Sequence, residues 1–361
     1  MLEAIEREPA LAERLASDAA ASRAAPQIAA LLESAAASGW PSAVVGCGTS
    51  EHVAMAAAET WNEAWAAAGH RGLAAVPRQA LEAALHAWPG TTIGVTHEGG
   101  SAATIDAMRA AREGGGRVGL ITAAANSPAA SVAEAVLCTG TPDLSWCHTI
   151  AYVTPIVAAA LVGAALAGRV MEPSMLRAPL EAGLEARPAA AALAAGLAGS
   201  RVIVVAASGA DRVAGREIAL KIEEASYVPT VFRDLETVLH GHVPSMNVGT
   251  SLVVVMTAGP GLERRSARAR QLLDAVGRVG VRSGAILAGA AVDAIPAALL
   301  PAGRVAVPIP AGLPAPVASL LATAIPLQLT TYELAVALGT NPDALRREQP
   351  QYRAAAEAAE S

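Results

Sequence analysis

Two stretches of this chain spell the same short strand and small-residue turn 160 residues apart. Ser42-Ala-Val-Val-Gly-Cys-Gly-Thr-Ser50 runs apolar residues into glycine and hydroxyls. Val202-Ile-Val-Val-Ala-Ala-Ser-Gly209 repeats that pattern, and Val204 against Val44 gives 204 − 44 = 160. Thr91–Ser101 and Ser251–Gly259 correspond likewise, with Val255 and Val95 again 160 apart. Gly119-Leu-Ile-Thr122 resembles Gly284-Ala-Ile-Leu287. Equal offsets at separate strands predict an internal duplication of one unit. Helical stretches at Glu51–Ala68 and Ala102–Glu113 follow the first two strands, and further strands fall at Arg117–Thr122 and Ala135–Cys138. Strands alternating with helices imply parallel sheets covered on both faces. The expected fold is therefore α/β, two tandem doubly wound units, each three-layered α/β/α.

The organisation read from this pattern is a helical lead-in over 1–36, with Pro26 opening its second helix, and a first unit over 37–172. The proline- and charge-bearing segment Pro173–Pro188 reads as a linker. A second unit covers 189–345, its last helix near Val317–Leu338, and a polar tail covers 346–361. Residues 149–168 form an uncharged run about as long as a membrane span, yet they are rich in alanine and broken by Pro155. No aromatic belt or basic flank favours insertion strongly, so a helix buried in a large core or an oligomer interface is the expectation. The net charge of −6, without a Lys/Arg run, leaves no electrostatic footprint for nucleic acid. Three cysteines without metal spacing imply neither a disulfide framework nor a metal, and fit a reducing cytoplasm. No cofactor is called for, and no membrane or nucleic-acid partner.

One basic residue stands apart. Lys221 is the only lysine among 26 basic residues, the rest being arginine. An ammonium reaches into a pocket and shifts its pKa, which a guanidinium does not. On a helix, Glu217, Lys221 and Glu224 fall at i, i+4 and i+7 and share one face. Two carboxylates and an amine in line read as a site; the alternative is a pair of surface ion pairs. The turns at Gly48-Thr49-Ser50 and Thr96–Ser101 each join a strand to a helix, an arrangement that aims backbone N–H groups at an anion.

Taken in order, GCGTS at Gly46–Ser50, the turn at Thr96–Thr104, GTPDL at Gly140–Leu144, EIALKIEEASY at Glu217–Tyr227, LHG at Leu239–Gly241 and PLQLTTYELAVALGTNPD at Pro326–Asp343 resemble the tandem sugar-isomerase (SIS) domain family. That family includes the isomerase half of glucosamine-6-phosphate synthase and related deglycases and amino-sugar deaminases. The resemblance implies a cytoplasmic homodimer that binds a sugar phosphate or amino sugar through Gly48, Thr49, Ser50, Thr96, His97, Glu98 and Ser101. It implies Glu224 as the base that moves a proton between C1 and C2, with Lys221 as the catalytic group that polarises the oxygen and Glu217 lining the same pocket. It further implies that His240 assists ring opening, in a neighbouring subunit's site. A non-catalytic sugar-phosphate-binding regulator and an isomerase of an unphosphorylated sugar are the alternatives.

Three departures bear on the substrate. Glu98 stands where the family's phosphate turn normally carries a serine, and a carboxylate beside a phosphate dianion is unfavourable unless a cation or proton intervenes. The family's C-terminal lysine is absent, the stretch Arg346–Tyr352 offering only arginines as basic residues. Cys147-His-Thr149 replaces the serine-threonine-lysine stretch that follows the GTPDL loop.

Overall fold

A computed structural model of the protein describes residues 1–143 and 145–360. Leu144 of the GTPDL stretch thus lies outside the described residues. The chain opens with α1 (Leu2–Ser17) and α2 (Ala19–Ala37), and continues through β1 (Ser42–Gly46), α3 (Thr49–Ala67), β2 (Ala75–Gln79), α4 (Ala80–Leu85), β3 (Thr92–Val95), α5 (Ala102–Glu113), β4 (Val118–Thr122), β5 (Ala135–Cys138) and α6 (Ile150–Leu166). Two further helices, α7 (Pro173–Glu185) and α8 (Arg187–Leu197), lead into the second half. That half runs β6 (Val202–Ala207), α9 (Asp211–Ser226), β7 (Thr230–Asp234), α10 (Leu235–Thr237), β8 (Thr250–Thr257), α11 (Leu262–Gly277), β9 (Arg282–Ala288), α12 (Ala291–Ala294), β10 (Gly303–Val307), α13 (Ala315–Leu338) and α14 (Pro350–Glu360).

Both sheets are parallel and five-stranded, ordered β2-β1-β3-β4-β5 and β10-β9-β8-β6-β7. Read from the opposite edge, the second order is that of the first, so the expected three-layer duplication is present. The register refines its spacing. Val44 lies beside Ile93 and Val204 beside Leu252, so the second strand pair is offset by 252 − 93 = 159 rather than 160. Such a one-residue difference swaps the faces to which side chains point.

The edge strands β2, β7 and β10 had no signal in the sequence. β2 carries Pro77 and Arg78 and is half exposed, which suits an edge and hides the periodicity of a buried strand. Two helix boundaries also differ from expectation. The second lead-in helix starts at Ala19, capped by the Asp18 carboxylate accepting from Ala20 N–H at 3.0 Å, and Pro26 lies inside it. Pro173–Pro188 is not a linker: Pro173 opens α7, and Pro188 sits in the first turn of α8, where a missing N–H costs nothing.

One apolar core joins the halves, drawing Ile5, Trp61 and Ile156 together with Leu180, Val205, Ile218 and Leu321. The expected buried helix is α6, enclosed along nearly its whole length. α13, at 24 residues, is long and apolar enough to cross a membrane, but 78% of its most apolar window is buried against the rest of the chain.

Candidate active site

The turns after β1 and β3 form one wall of a cleft of about 340 Å³. At Gly46 a Cβ would stand 2.5 Å from the Ser50 carbonyl group, so only glycine lets the strand turn at once into α3. Gly99 has φ +72°, and a Cβ there would meet Ser127 Oγ at 2.0 Å. These constraints bring Gly48, Thr49, Ser50, Thr96, His97, Glu98 and Ser101 to the same cleft, joined by Cys47, His148, Leu220 and Glu224. Leu220 and Glu224 arrive on α9, from the other half of the molecule.

α9 holds its polar face against the start of α3. Glu217 is fully buried, accepting from Thr49 Oγ1 at 3.2 Å and lying 2.7 Å from His52 Nδ1. Lys221 Nζ, also fully buried, is 3.7 Å from Glu217 Oε1 and 2.5 Å from Glu224 Oε2. Burial opposes the Lys221 charge, but the Glu217 and Glu224 carboxylates more than compensate and hold the ammonium above its ordinary range. Burial likewise opposes the Glu217 carboxylate, and Lys221 with His52 outweighs it, so this group sits below the usual carboxylate range. Glu224 alone of the three opens to the cleft, its side chain 21% exposed. Lys221 and Glu217, expected to line the pocket, lie behind Glu224 instead. They occupy successive turns on the side of α9 that packs into the core, and Glu224, nearer the helix end, emerges from it.

A pair of histidines, His97 and His148, lines the same cleft as Glu224. His97 Nε2 accepts the Asp143 backbone N–H at 2.7 Å, so a neutral His97 carries its proton on Nδ1. Burial and the neighbouring His148 both lower its pKa, and they prevail over the opposing charges of Asp143 and Glu98. The His97 and His148 rings are 5.3 Å apart. Asp143, from the GTPDL loop, caps α6 by accepting from Thr149 N–H at 2.6 Å and Ala151 N–H at 3.2 Å. Gln328, from the PLQL stretch of α13, donates to Thr149 O at 3.3 Å and so ties the second half to that cap. The Cys147 thiol, pushed up by burial, is a neutral packing group beside this network.

His240 is the site residue that this chain does not bring to the cleft. It is 69% exposed and 2.8 Å from Glu236, which Arg268 also holds. Its LHG stretch forms a kinked surface turn with Gly241 at φ +124°, and none of its residues lines the cleft. Sequence reading missed His52 and His148 as members of the site. His52 lies three residues after Thr49 on α3, one turn on and therefore on the same face, which was the available signal.

No protein-family model matches the chain. A glutamine–fructose-6-phosphate aminotransferase (isomerizing) of Thermus thermophilus is 27% identical over 264 residues, 70% of this chain and 42% of that protein. The chain thus spans less than half the length of that relative. The C-terminal domain of glucosamine-fructose-6-phosphate aminotransferase from Francisella tularensis superimposes with a TM-score of 0.80, at 17% identity over 95% of this chain and 97% of that one. Tagatose-6-phosphate ketose/aldose isomerase from Escherichia coli gives 0.74 at 18% identity, over 95% and 94%. Glucosamine-6-phosphate deaminase from Thermotoga maritima gives 0.70 at 16%, over 95% and 96%. The chain has an SIS-type fold and is similar in sequence to glutamine–fructose-6-phosphate aminotransferase.

Proposed function

We propose that this chain is an enzyme of the sugar-isomerase type, shifting a proton between adjacent carbons of an open-chain sugar derivative through an enediol or enamine. The product is then the isomerised sugar, or the fragments of a deamination or deglycation. The observation that carries this reading is the access of Glu224: a carboxylate open to the cleft and held at 2.5 Å by a buried ammonium. One carboxylate within hydrogen-bond reach of both carbons suffices for the transfer. Lys221, being buried, acts through Glu224: it fixes one carboxylate oxygen and sets a positive charge behind the reacting carbons, where oxyanion character develops. The turns at Thr49-Ser50 and Thr96–Ser101 hold the substrate by hydroxyl and N–H groups. His240, on the surface of its own chain, assists ring opening in the cleft of a second copy, in a homodimer.

Proton exchange tests the reading directly. The chain is incubated with candidate sugars in deuterated water and the label at C1 and C2 is measured by NMR. Incorporation that disappears in Glu224→Gln is the expected result. Binding without incorporation would instead make this a sugar-binding regulator. For His240, mixing Glu224→Gln with His240→Ala should restore part of the activity through hybrid dimers.

A further inference from the structure

The cleft's charge names the kind of substrate end it takes. Among the described residues none that lines it is arginine or lysine, whereas Glu98 and Glu224 both do. The one nearby ammonium, Lys221, is fully buried and already shared by Glu217 and Glu224. Arg346 and Arg347 lie outside, stacked on Tyr227 and Trp146. His97 cannot supply the missing charge. Its Nε2 accepts the Asp143 N–H, and protonating that nitrogen would set two donors against each other. Apart from His148, whose imidazole also lines the cleft with Nδ1 4.0 Å from Asp143, the remaining positive field comes from the starts of α3 and α5. Helix ends carry about half a charge each, so together they offset about one carboxylate, which Glu98 already is.

A second feature points to a ligand. His97 is 8% exposed, lines the cleft, and has no hydrogen-bond partner at Nδ1 among the described residues. In the tautomer that Asp143 imposes, this buried atom is a donor awaiting an acceptor. Beside the hydroxyls of Thr96 and Ser101, the turn therefore offers a neutral imidazole donor and a carboxylate, adjacent in sequence. A polyol or amino-polyol matches that pair, and a dianion does not.

We propose that the substrate end held by the 96–101 turn is a hydrogen-bond donor, a hydroxyl or an ammonium, rather than a phosphate, with Glu98 as its acceptor and His97 Nδ1–H donating to a neighbouring substrate oxygen. The proposal rests on the reading of this cleft as a sugar site, and concerns the end remote from Glu224. Its test varies one substituent. Glucose and fructose are each compared as the free sugar, the 6-phosphate and the 6-amino-6-deoxy sugar, by calorimetry on the wild-type chain and on Glu98→Gln. Glu98 is exposed, so the variant should fold, which its melting temperature verifies. In the wild type, the free or amino sugar should bind at least about tenfold more tightly than the 6-phosphate, and Glu98→Gln should shrink or reverse that ratio. An amino sugar that outbinds the free sugar assigns an ammonium; parity assigns a hydroxyl. Tighter wild-type binding of the 6-phosphates, a ratio unchanged in Glu98→Gln, or binding of none of the six would overturn it. The same samples in deuterated water keep the two readings apart. The binding ratio reports on Glu98, and label at C1 or C2 reports on Glu224, so a preference without label sinks only the isomerase.

Discussion

Glu224 and Glu217 are the same residue on the same face of one helix, and they differ in access. Glu217 is enclosed, with every neighbour a protein group; Glu224 meets the cleft. Glu224→Gln keeps the size and an acceptor for Lys221 while removing the base. Turnover should fall by roughly 10²–10⁴ as general-base catalysis is lost, with ligand affinity retained. Steady-state kinetics beside calorimetry check this, and turnover within a few-fold of wild type would remove Glu224 from the mechanism. The helical period sufficed to put Glu217, Lys221 and Glu224 on one face. It was silent on which would touch a ligand, because that depends on how far along α9 the packing against α3 extends. His240 marks the same boundary from the other side: a histidine near a glycine turn is visible in sequence, but its exposure and its Glu236 partner are properties of the folded surface.

At the scale of elements, α9 performs the decisive act by carrying a polar face from the second half into the first. Its buried amine between two carboxylates forms one electrostatic unit. Lys221→Met leaves the fully buried Glu217 with His52 and Thr49 only, and should destabilise the fold by about 3–5 kcal/mol at neutral pH, the usual cost of breaking a buried pair. Because Glu217 titrates below its ordinary value of 4.5 in the folded protein, its contribution is present above that pH and is lost as the pH falls through the lower, folded value. The gap between wild type and Lys221→Met, measured by urea unfolding, should narrow below pH 4.5. A gap that stays constant with pH would place the cost in packing alone. The duplicated turns differ in chemistry. In the second half Gly209, Asp211, Thr257 and Pro260 also line a cleft, of about 400 Å³, and an ion pair braces them. Asp211 accepts from Thr257 N–H at 2.9 Å and from Arg265 Nη1 at 2.6 Å, while Arg265 also donates to Pro260 O and Thr257 O.

Across the whole molecule, the lead-in helices belong to the shared core. α1 inserts Glu8, which is fully buried; burial pushes its carboxyl well above the usual range, Gln328 pulls the other way, and the Asp143 charge adds to the rise. A carboxyl with a raised folded pKa favours the folded state below its unfolded value of 4.5, and that contribution is lost as the pH rises through the folded one. Glu8→Gln, which cannot ionise, should therefore match wild type near pH 4.5 and become more stable than it toward pH 8, by about 1–3 kcal/mol. Denaturation midpoints across that range decide it, and a variant less stable at pH 8 would show that Glu8 is charged and paired.

The sequence by itself determined the duplicated α/β plan and the turns of the site, because both are local. Strand runs, glycines at steric pinch points and hydroxyls at helix starts leave periodic marks within about 15 residues. It also set the acid–amine–acid face of α9 by helical spacing. Tertiary structure alone decided that Lys221 and Glu217 stand behind Glu224, that His52 and His148 join the site, that Pro173–Pro188 is helical, and that the two halves share one core. These outcomes depend on contacts between residues 100 or more apart in the chain, such as Thr49 with Glu217 and Thr149 with Gln328. No local pattern encodes such a contact, because the burial that decides it exists only once both halves have closed on each other.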